Sequence, residues 1–414
     1  MSGLPERGRP WRAIEQELAA AEATHAAHRE GMMDRYWPVY RSDVYLGARD
    51  ALARFAYANA YSMPDLPGIA RMDEEVRAAV AEVVHVPSSG AVTLTGGGTE
   101  SNFLAVKGAR ALARRRGVER PNVVGPETAH PSLQKGTDEL GLEMRRVPCA
   151  EHYRADPEAL AAAVDDETAM VAVSAPGYTH GVVDPVAEVA EALAGRDVWL
   201  HVDACIGGFL VPFLKDLGEP LPEFRFDIPA VSSVSTDLHK FGHCLHGISS
   251  LAVRDVSLQE AHTYHLPDRA WPYRPYARVG FAGSRPAGVI AAAWVTMQLL
   301  GREGYLEMAD GIRRAARRLD AGVASIDGIE MPTPPEAGIA VIVTTDGTDV
   351  GLVSAALLER GWDIITAVHP PSLHFLLDPV GEDLVDAFCA DLAEALERVR
   401  RGEITHRREG QYGD

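Results

Sequence analysis

The chain has 414 residues, of which 46% are hydrophobic and 24% are charged, and its formal net charge is -19. This composition is typical of a globular protein of two or three domains with a large apolar core. The acidic balance argues against a nucleic-acid-binding role, since no basic stripe with interleaved aromatic residues accompanies it. We find no apolar leader segment and no charge-free run of about 20 apolar residues, so we expect no membrane span. The four cysteines are widely spaced and form no C-x-x-C pair, which is typical of reduced thiols and predicts a cytoplasmic location.

Residues 1–60 are predicted to form an N-terminal helical segment. Residues 10–30 are rich in alanine and glutamate at helical spacing, which predicts a first helix. The aromatic-rich stretch that follows, through Tyr61, is predicted to be irregular. A loop with two prolines then precedes a second predicted helix, which begins near Ile69.

Short apolar runs alternate with helical stretches from about residue 90, and we assign residues 61–300 to a large domain. Such alternation predicts a mainly parallel sheet with helices on both faces. Ligands of these sheets bind at the carboxyl ends of the strands. The predicted strands are 92–94, 122–124, 144–147, 169–174, 198–202 and 231–234.

Residues 301–414 are predicted to form a smaller α/β domain. The charge-free run 286–301 has the spacing of a long buried helix that leads into it. Beyond this helix, strands are predicted at 339–344, 362–366 and 373–376, and helices at 349–360 and 382–400.

Lys240 is the first candidate for chemistry, because the chain contains only four lysines among its 40 basic side chains. Arginine stays protonated in proteins, whereas a lysine amine in a desolvated pocket can lose its proton and attack an aldehyde as a Schiff base. The surrounding residues, 232–250, are rich in small and hydroxyl side chains that admit a flat cofactor and suit a phosphate. A solvated surface lysine is the alternative.

Three further motifs follow predicted strands. The stretch TGGGTESN (95–102) offers a tight turn and free amides for a phosphate, or is a plain strand-to-helix turn. Asp203 ends the run VWLHVD, where a carboxylate can keep a ring nitrogen protonated, or can cap a helix. His130, in ETAHPS, can stack on a flat cofactor, although a lone histidine is more often packed or exposed.

The order of these motifs resembles that of the group II pyridoxal-phosphate-dependent decarboxylases, and most of all their sphingosine-1-phosphate lyase-like branch. The matching stretches are TGGGTESN, ETAHPS, SAPGYTHGVVDP, HVDACIGGF and STDLHKFG, and the resemblance covers roughly residues 55–290. It implies the fold type I architecture of pyridoxal-phosphate enzymes (aspartate aminotransferase-like), with a mainly parallel central sheet and a small C-terminal α/β domain. It also implies a homodimer with shared active sites.

The resemblance assigns roles to residues of the matching motifs. It implies that Lys240 forms the Schiff base with pyridoxal 5'-phosphate, Asp203 pairs with the pyridine nitrogen and His130 stacks on the ring. The residues that it places around the cofactor phosphate are Gly98, Thr99, Ser235, Asp237 and His239. The stretch FAGSRPAG (281–288) resembles the family segment that reaches the partner subunit's phosphate site, with Gly283 and Ser284 as candidates.

Two positions depart from the lyase-like branch. The loop YANAYSMPDLPG (57–68) is shorter than its counterpart, and Met63 stands where that branch commonly has histidine. His246 stands six residues beyond Lys240, where the lyases usually carry a lysine associated with the substrate phosphate. Both departures bear on whether the substrate is phosphorylated.

The enzyme selects its reaction by orienting one substrate bond perpendicular to the cofactor ring. We expect a retro-aldol carbon-carbon lyase that acts on a small β-hydroxy amine or amino acid, with or without a phosphate. The alternatives are an L-amino acid α-decarboxylase and an inactive binding or scaffold protein. Transamination and cysteine desulfuration are disfavoured, since Arg360 is the only arginine between residues 320 and 397, and neither Cys205 nor Cys244 suits a mobile thiol. The candidate substrate-binding residues are Tyr57, Tyr178, His180 and His246, and no metal site is predicted.

Overall fold

A seven-stranded sheet forms the centre of the protein. The computed structural model describes residues 7–27, 41–61, 63–267, 270, 272, 276–379 and 381–408. The strands are β1 (Ala91–Thr95), β2 (Asn122–Pro126), β3 (Glu143–Val147), β4 (Thr168–Ser174), β5 (Trp199–Asp203), β6 (Val231–Asp237) and β7 (Ser249–Val253). Their order in the sheet is β1-β7-β6-β5-β4-β2-β3, and β7 alone runs antiparallel to its neighbours. The predicted mainly parallel sheet is therefore confirmed, although the sequence reading missed β7.

Both faces of this sheet are buried. In β4, Val171 and Val173 pack into one apolar core, while Met170 and Ala172 pack into the other. Since successive side chains of a strand point to opposite faces, a strand covered on both sides reads as an unbroken apolar run. The covering helices are α4 (Gly98–Arg115), α5 (Pro131–Leu140), α6 (Pro157–Ala163), α7 (Val186–Ala192), α8 (Val211–Asp216) and α9 (Val256–His262).

The N-terminal part is more helical than the sequence suggested. The predicted first and second helices are confirmed as α1 (Trp11–Ala27) and α3 (Pro67–Val83), but residues 28–30 lie outside the described ranges. The expectation of an irregular stretch was wrong for α2 (Ser42–Arg54). This helix packs against α10 (Ala287–Ala324), and Gly288 permits the approach, because a Cβ there would lie 2.6 Å from the carbonyl oxygen of Leu52.

Helix α10 connects the large sheet to the smaller C-terminal sheet. It bends at Gly301 (φ 56°, ψ -176°), where we place the boundary between the two domains; the three-part division of the chain stays a prediction. The C-terminal elements are β10 (Ile329–Glu330), β11 (Ile339–Thr344), α11 (Val350–Leu358), β12 (Ile365–Val368), β13 (Pro371–Leu376) and α12 (Glu382–Arg400). The four strands form an antiparallel sheet in the order β10-β11-β13-β12.

One predicted strand of this domain is displaced. The strand expected at 362–366 begins only at Ile365, because Trp362 is buried against α12 and its indole nitrogen donates to Asp391 Oδ2 at 2.8 Å. A short hairpin that the sequence reading missed, β8 (Tyr264–Leu266) with β9 (Tyr276–Arg278), precedes α10. None of the helices in the described ranges is both long and apolar enough to cross a membrane.

Candidate active site

A cavity of about 330 Å³ lies at the carboxyl ends of the parallel strands. The residues that line it follow β1, β2, β4, β5 and β6, so that five separate stretches of sequence meet there. The predicted site residues that the structure brings together are Gly98, Thr99, His130, Tyr178, Asp203, Asp237, His239 and Lys240.

Lys240 stands on the turn that follows β6, and its Nζ lies 3.0 Å from Asp237 Oδ2. Burial disfavours the charged amine, but the carboxylates of Asp237 and Asp203 outweigh this effect and raise the pKa of Lys240 above its ordinary value. The amine is therefore protonated in this state and has to give up a proton before it acts as a nucleophile. The second oxygen of Asp237, Oδ1, is buried without a hydrogen-bond partner in the described part of the chain.

The glycine turn at 96–98 leaves room in the cavity. A Cβ on Gly98 would lie 2.6 Å from Cys205 Sγ and 2.8 Å from Asp237 Oδ1, so any side chain there would collide with the cavity wall. The N-terminus of α4 has no side-chain cap, and its free amides suit an anionic group. Glu100 holds the turn in place, because its carboxylate accepts from the amide of Gly96 at 2.7 Å and from that of Phe281 at 2.9 Å.

Asp203 ends β5 and is only 5% exposed. Its Oδ2 accepts from Asn102 Nδ2 at 2.7 Å, and its Oδ1 accepts from the amide of Cys205 at 3.1 Å. Burial by itself would raise the pKa of Asp203, but nearby His130 and His201, together with the hydrogen bonds, lower it below the ordinary value. The carboxylate thus stays ionised at neutral pH although it is buried.

His130 caps the N-terminus of α5. Its Nδ1 accepts from the amide of Ser132 at 3.2 Å and lies 2.8 Å from the hydroxyl oxygen of the same residue. Because Nδ1 is an acceptor, the proton of the neutral ring is on Nε2. Burial lowers the pKa of His130, so the ring is neutral at neutral pH. Its edge meets Tyr178, with ring centroids 6.4 Å apart.

Two of the predicted phosphate-site residues have different surroundings. His239 lines the cavity; its Nδ1 donates to the carbonyl of Ile248 at 2.6 Å, and its Nε2 lies 3.7 Å from Asp237 Oδ2. Ser235 is fully buried behind the wall, where its hydroxyl donates to Asn102 Oδ1 at 2.9 Å. Ser235 therefore contacts the residues around Asp203 rather than the cavity itself.

Three predicted substrate residues lie outside the cavity. Tyr57 is fully exposed after α2, and His246 is exposed with its ring centroid 5.3 Å from that of His239. His180 is buried against Tyr153, with stacked rings 3.7 Å apart, and burial lowers the pKa of His180 to about 4. Of the four predicted substrate-binding residues, Tyr178 alone lines the cavity, and the roles of the other three stay predictions.

The segment 281–288 lies on the other side of the glycine turn. Gly283 lines a second cavity, of about 330 Å³, and Ser284 Oγ accepts from Asn59 Nδ2 at 3.0 Å. Neither residue reaches the cavity around Lys240 of its own chain.

Several residues of the cavity wall were not predicted from the sequence. Asn102 and Ser132 stand inside motifs that the sequence reading had already identified, and Ser174 ends β4. The available signal was a small polar residue near the start of a helix that directly follows a strand of the sheet. Cys205 also lines the cavity, and burial raises its pKa far above the ordinary value, so it is a neutral thiol there.

The wall offers each group that pyridoxal phosphate requires. An amine, a buried carboxylate and a neutral imidazole surround one cavity, and a glycine turn with free amides forms its edge. A Cβ on Gly98 would close this space. Fold and site together define a pyridoxal-phosphate-dependent enzyme of fold type I.

Comparison with known proteins identifies the family. Residues 2–344 match the pyridoxal-dependent decarboxylase conserved domain. Sphingosine-1-phosphate lyase of Arabidopsis thaliana is 32% identical over 86% of this chain and 66% of its own length, so the chain spans about two thirds of that relative. A probable L-tyrosine/L-aspartate decarboxylase of Methanothermobacter thermautotrophicus is 32% identical over 79% of this chain and 88% of its own. The structure of sphingosine-1-phosphate lyase from Burkholderia pseudomallei superposes with a TM-score of 0.90 at 31% identity, covering 97% of this chain and 94% of that one.

The chain belongs to the pyridoxal-dependent decarboxylase family, and its cofactor is pyridoxal 5'-phosphate. The resemblance to the lyase-like branch is confirmed, and the protein is a pyridoxal-phosphate-dependent lyase.

Proposed function

We propose that the protein is an aldehyde-lyase that cleaves the Cα–Cβ bond of a β-hydroxy amine or β-hydroxy amino acid, with or without a phosphate. One observation favours this reaction over decarboxylation. Among the described residues that line the cavity, Lys240 is the only lysine or arginine. An arginine clamp is the usual partner of a substrate α-carboxylate, which an α-decarboxylase substrate must have and a β-hydroxy amine lacks, so among the proposed substrates this observation favours the β-hydroxy amine.

The proposed chemistry rests on the protonation states of the wall. Pyridoxal phosphate, when bound, supplies an aldehyde for Lys240 and a ring that withdraws electrons from the substrate Cα. Asp203 stays ionised and would face the ring nitrogen. His130 would lie over the ring with its proton on Nε2, because its Nδ1 accepts from the Ser132 amide.

The β-hydroxyl of the substrate has to lose its proton during cleavage. His130 is poorly suited to accept this proton, because its only lone pair is engaged by the Ser132 amide. Lys240 is better placed, since its amine lines the same cavity and would be available as a base while the substrate is bound. The resulting ammonium would pair with Asp237, whose Oδ2 is 3.0 Å from Nζ.

An α-decarboxylase is the second candidate. The support for it is the archaeal relative, named a probable L-tyrosine/L-aspartate decarboxylase, which matches this chain over 88% of its own length. The same Lys240, Asp203 and His130 would serve that reaction, because the family chooses between the two by the orientation of the substrate.

The two reactions are distinguished by their products. Purified protein saturated with pyridoxal phosphate would be incubated with β-hydroxy amines, with and without a phosphate, and with L-amino acids. We expect an aldehyde from the β-hydroxy substrates. Release of carbon dioxide without aldehyde would remove the lyase proposal, and a colourless, inactive protein would favour a scaffold.

We further propose a homodimer in which residues 281–288 of each subunit complete the site of the other, in a cytoplasmic protein. Glu100 supports this arrangement, because it ties the turn at the cavity to Phe281 at the second cavity. Light scattering is expected to give twice the mass of one chain, and a fully active monomer would be incompatible with a composite site.

A further inference from the structure

A chain of hydrogen bonds runs through the sheet behind Asp203. Trp199 Nε1 donates to Ser233 Oγ at 2.6 Å, and Ser233 Oγ lies 2.8 Å from His201 Nδ1. His201 Nε2 lies 3.0 Å from Asn102 Oδ1, and Asn102 Nδ2 donates to Asp203 Oδ2 at 2.7 Å. All five side chains are buried.

The donors and acceptors of this chain can be arranged in only one direction. A carboxylate can only accept, so Asp203 faces the amide nitrogen of Asn102, and the carbonyl oxygen of Asn102 faces His201 Nε2. Nε2 therefore carries the proton of the neutral ring and donates it to Asn102 Oδ1. His201 Nδ1 is then an acceptor, and the Ser233 hydroxyl, which accepts from the indole N–H of Trp199, donates to it.

Asn102 also connects Asp203 with His130. Its Nδ2 donates to Ser132 Oγ at 2.8 Å, and the Ser132 hydroxyl lies 2.8 Å from His130 Nδ1. Since Ser132 Oγ accepts from Asn102, its proton is free to go to His130 Nδ1. The orientation of one amide thus agrees with both the ionised Asp203 and the Nε2–H tautomer of His130.

His201 stands behind the wall and not in it. Asn102, Asp203, Ser132 and His130 line the cavity, whereas the cavity lining does not include His201. Burial lowers the pKa of His201 to about 4, so the ring is neutral at neutral pH and Nδ1 remains an acceptor. Because the ring is neutral, it acts on the cavity wall through its hydrogen bond to Asn102 rather than through a charge.

We propose that His201 is a positioning residue, which fixes the amide of Asn102 so that Asp203 presents an ionised carboxylate to the cofactor ring nitrogen and His130 keeps its proton on Nε2. If the amide were reversed, its oxygen would face a carboxylate oxygen at hydrogen-bond distance, which is repulsive. The inference rests on the proposed roles of Asp203 and His130, and it adds the residue that maintains them.

The test compares two ligands that differ at one ring atom. Dissociation constants of pyridoxal phosphate and of its 1-deaza analogue, in which carbon replaces the ring nitrogen, would be measured on the apo-protein without substrate. His201→Leu removes one of the two donors to Asn102 Oδ1, the other being Ser235 Oγ at 2.9 Å, and His201→Gln keeps an amide donor in the place of Nε2. Ser250→Ala is the matched control, because it removes a different buried hydrogen bond of the same sheet, to Thr236 Oγ1 at 2.6 Å.

We expect His201→Leu to weaken pyridoxal phosphate binding roughly tenfold, the effect of one hydrogen bond to a charged group, and to leave the 1-deaza analogue within about twofold. His201→Gln should restore most of the affinity, and Ser250→Ala should change neither ligand. Equal weakening of both ligands by His201→Leu, or no weakening, would overturn the proposal.

A second measurement applies if His201→Leu does not fold. Nitrogen-15 spectra of histidine-labelled wild-type apo-protein report the tautomer of each ring, and we expect Nε2–H for both His201 and His130. An Nδ1–H tautomer at His201 would contradict the proposal. Since neither measurement includes substrate, both are independent of whether the reaction is a lyase or a decarboxylase reaction, and a wild-type protein that does not bind the cofactor would instead refute the cofactor assignment.

Discussion

The inner wall of the cavity is formed by residues of one chain, whereas the segments assigned to its entrance lie outside the cavity. The inner wall is formed by Asn102, His130, Asp203 and Lys240, which are held by hydrogen bonds and an ion pair from their own chain. We define the entrance by residues 57–68 and 281–288, which lie outside this wall, since Tyr57 is exposed and residues 281–288 lie beside a second cavity. The residues proposed for the chemistry are therefore held at strand ends within one chain, whereas the residues proposed for access and substrate contacts lie outside this wall.

Lys240 offers the strongest test of the inner wall. Lys240→Ala is expected to lower kcat by at least roughly 10³-fold, because no other amine can replace the nucleophile. Lys240→Arg is the matched control, as it keeps a cation beside Asp237 but cannot form a Schiff base. Both variants should be inactive in steady-state assays and should lack the visible absorption of the bound cofactor. Activity of Lys240→Arg near the wild-type level would show that the cation, and not the amine, matters.

Asp203 is expected to have the next largest effect. Asp203→Asn keeps the shape of the side chain but removes the charge, so we expect kcat to fall roughly hundredfold, with weaker cofactor binding. The matched control is Asp184→Asn, which changes another buried carboxyl that accepts from the amide of Ser174 at 2.7 Å. Thermal unfolding and kcat would be measured for both. Similar losses of kcat at equal stability would contradict a special role for Asp203.

A mixing experiment addresses the entrance. A Cβ on Gly283 would have its nearest neighbours at 3.9 Å within its own chain, so Gly283→Leu should fold normally yet obstruct the site of the partner. Lys240→Ala and Gly283→Leu subunits, each inactive alone, should recover up to about a quarter of wild-type activity when mixed, since half of the dimers then have one intact site. A fully active Gly283→Leu protein, or a mixture without activity, would place the segment outside a shared site.

The smallest expected effect concerns a buried histidine outside the cavity. In contrast to His201, His262 has no hydrogen-bond partner for either ring nitrogen in the described part of the chain, and burial lowers its pKa from 6.5 to about 4. The unfolded chain then binds a proton that the folded chain does not, so the free energy of unfolding falls as the pH decreases from about 6.5 toward 4. At pH 5 this loss in the free energy of unfolding amounts to about 2 kcal/mol, and His262→Leu should abolish it. Urea unfolding of the wild type and the variant at pH 7.5 and pH 5 checks this prediction, and the same pH dependence in both proteins would contradict it.

The sequence was sufficient to predict six of the seven strands of the large sheet and the residues at their ends, for physical reasons. Strands buried on both faces, such as β4, are unbroken apolar runs, and a functional residue after such a run has to lie at the common edge of the sheet. Helix α2 was missed because its few buried residues, Val44, Ala48 and Ala51, become recognisable only through their packing against α10.

The hydrogen-bonded residues behind the cavity wall could not be predicted from the sequence either. His201 and Ser233 lie on neighbouring strands in register, a pairing that no local pattern reveals. The position of His180 against Tyr153 likewise depends on two loops that meet only in the folded chain. The sequence identified the residue types for chemistry, whereas their hydrogen-bond partners followed from the topology.

Reduction of the holoenzyme with borohydride, followed by peptide mass analysis, tests the central assignment most directly. This treatment fixes the cofactor to the amine that holds it. The account predicts that the mass of the reduced cofactor is found on the peptide that contains Lys240. Label on Lys107, Lys135 or Lys215, or on none of the four lysines, would contradict it.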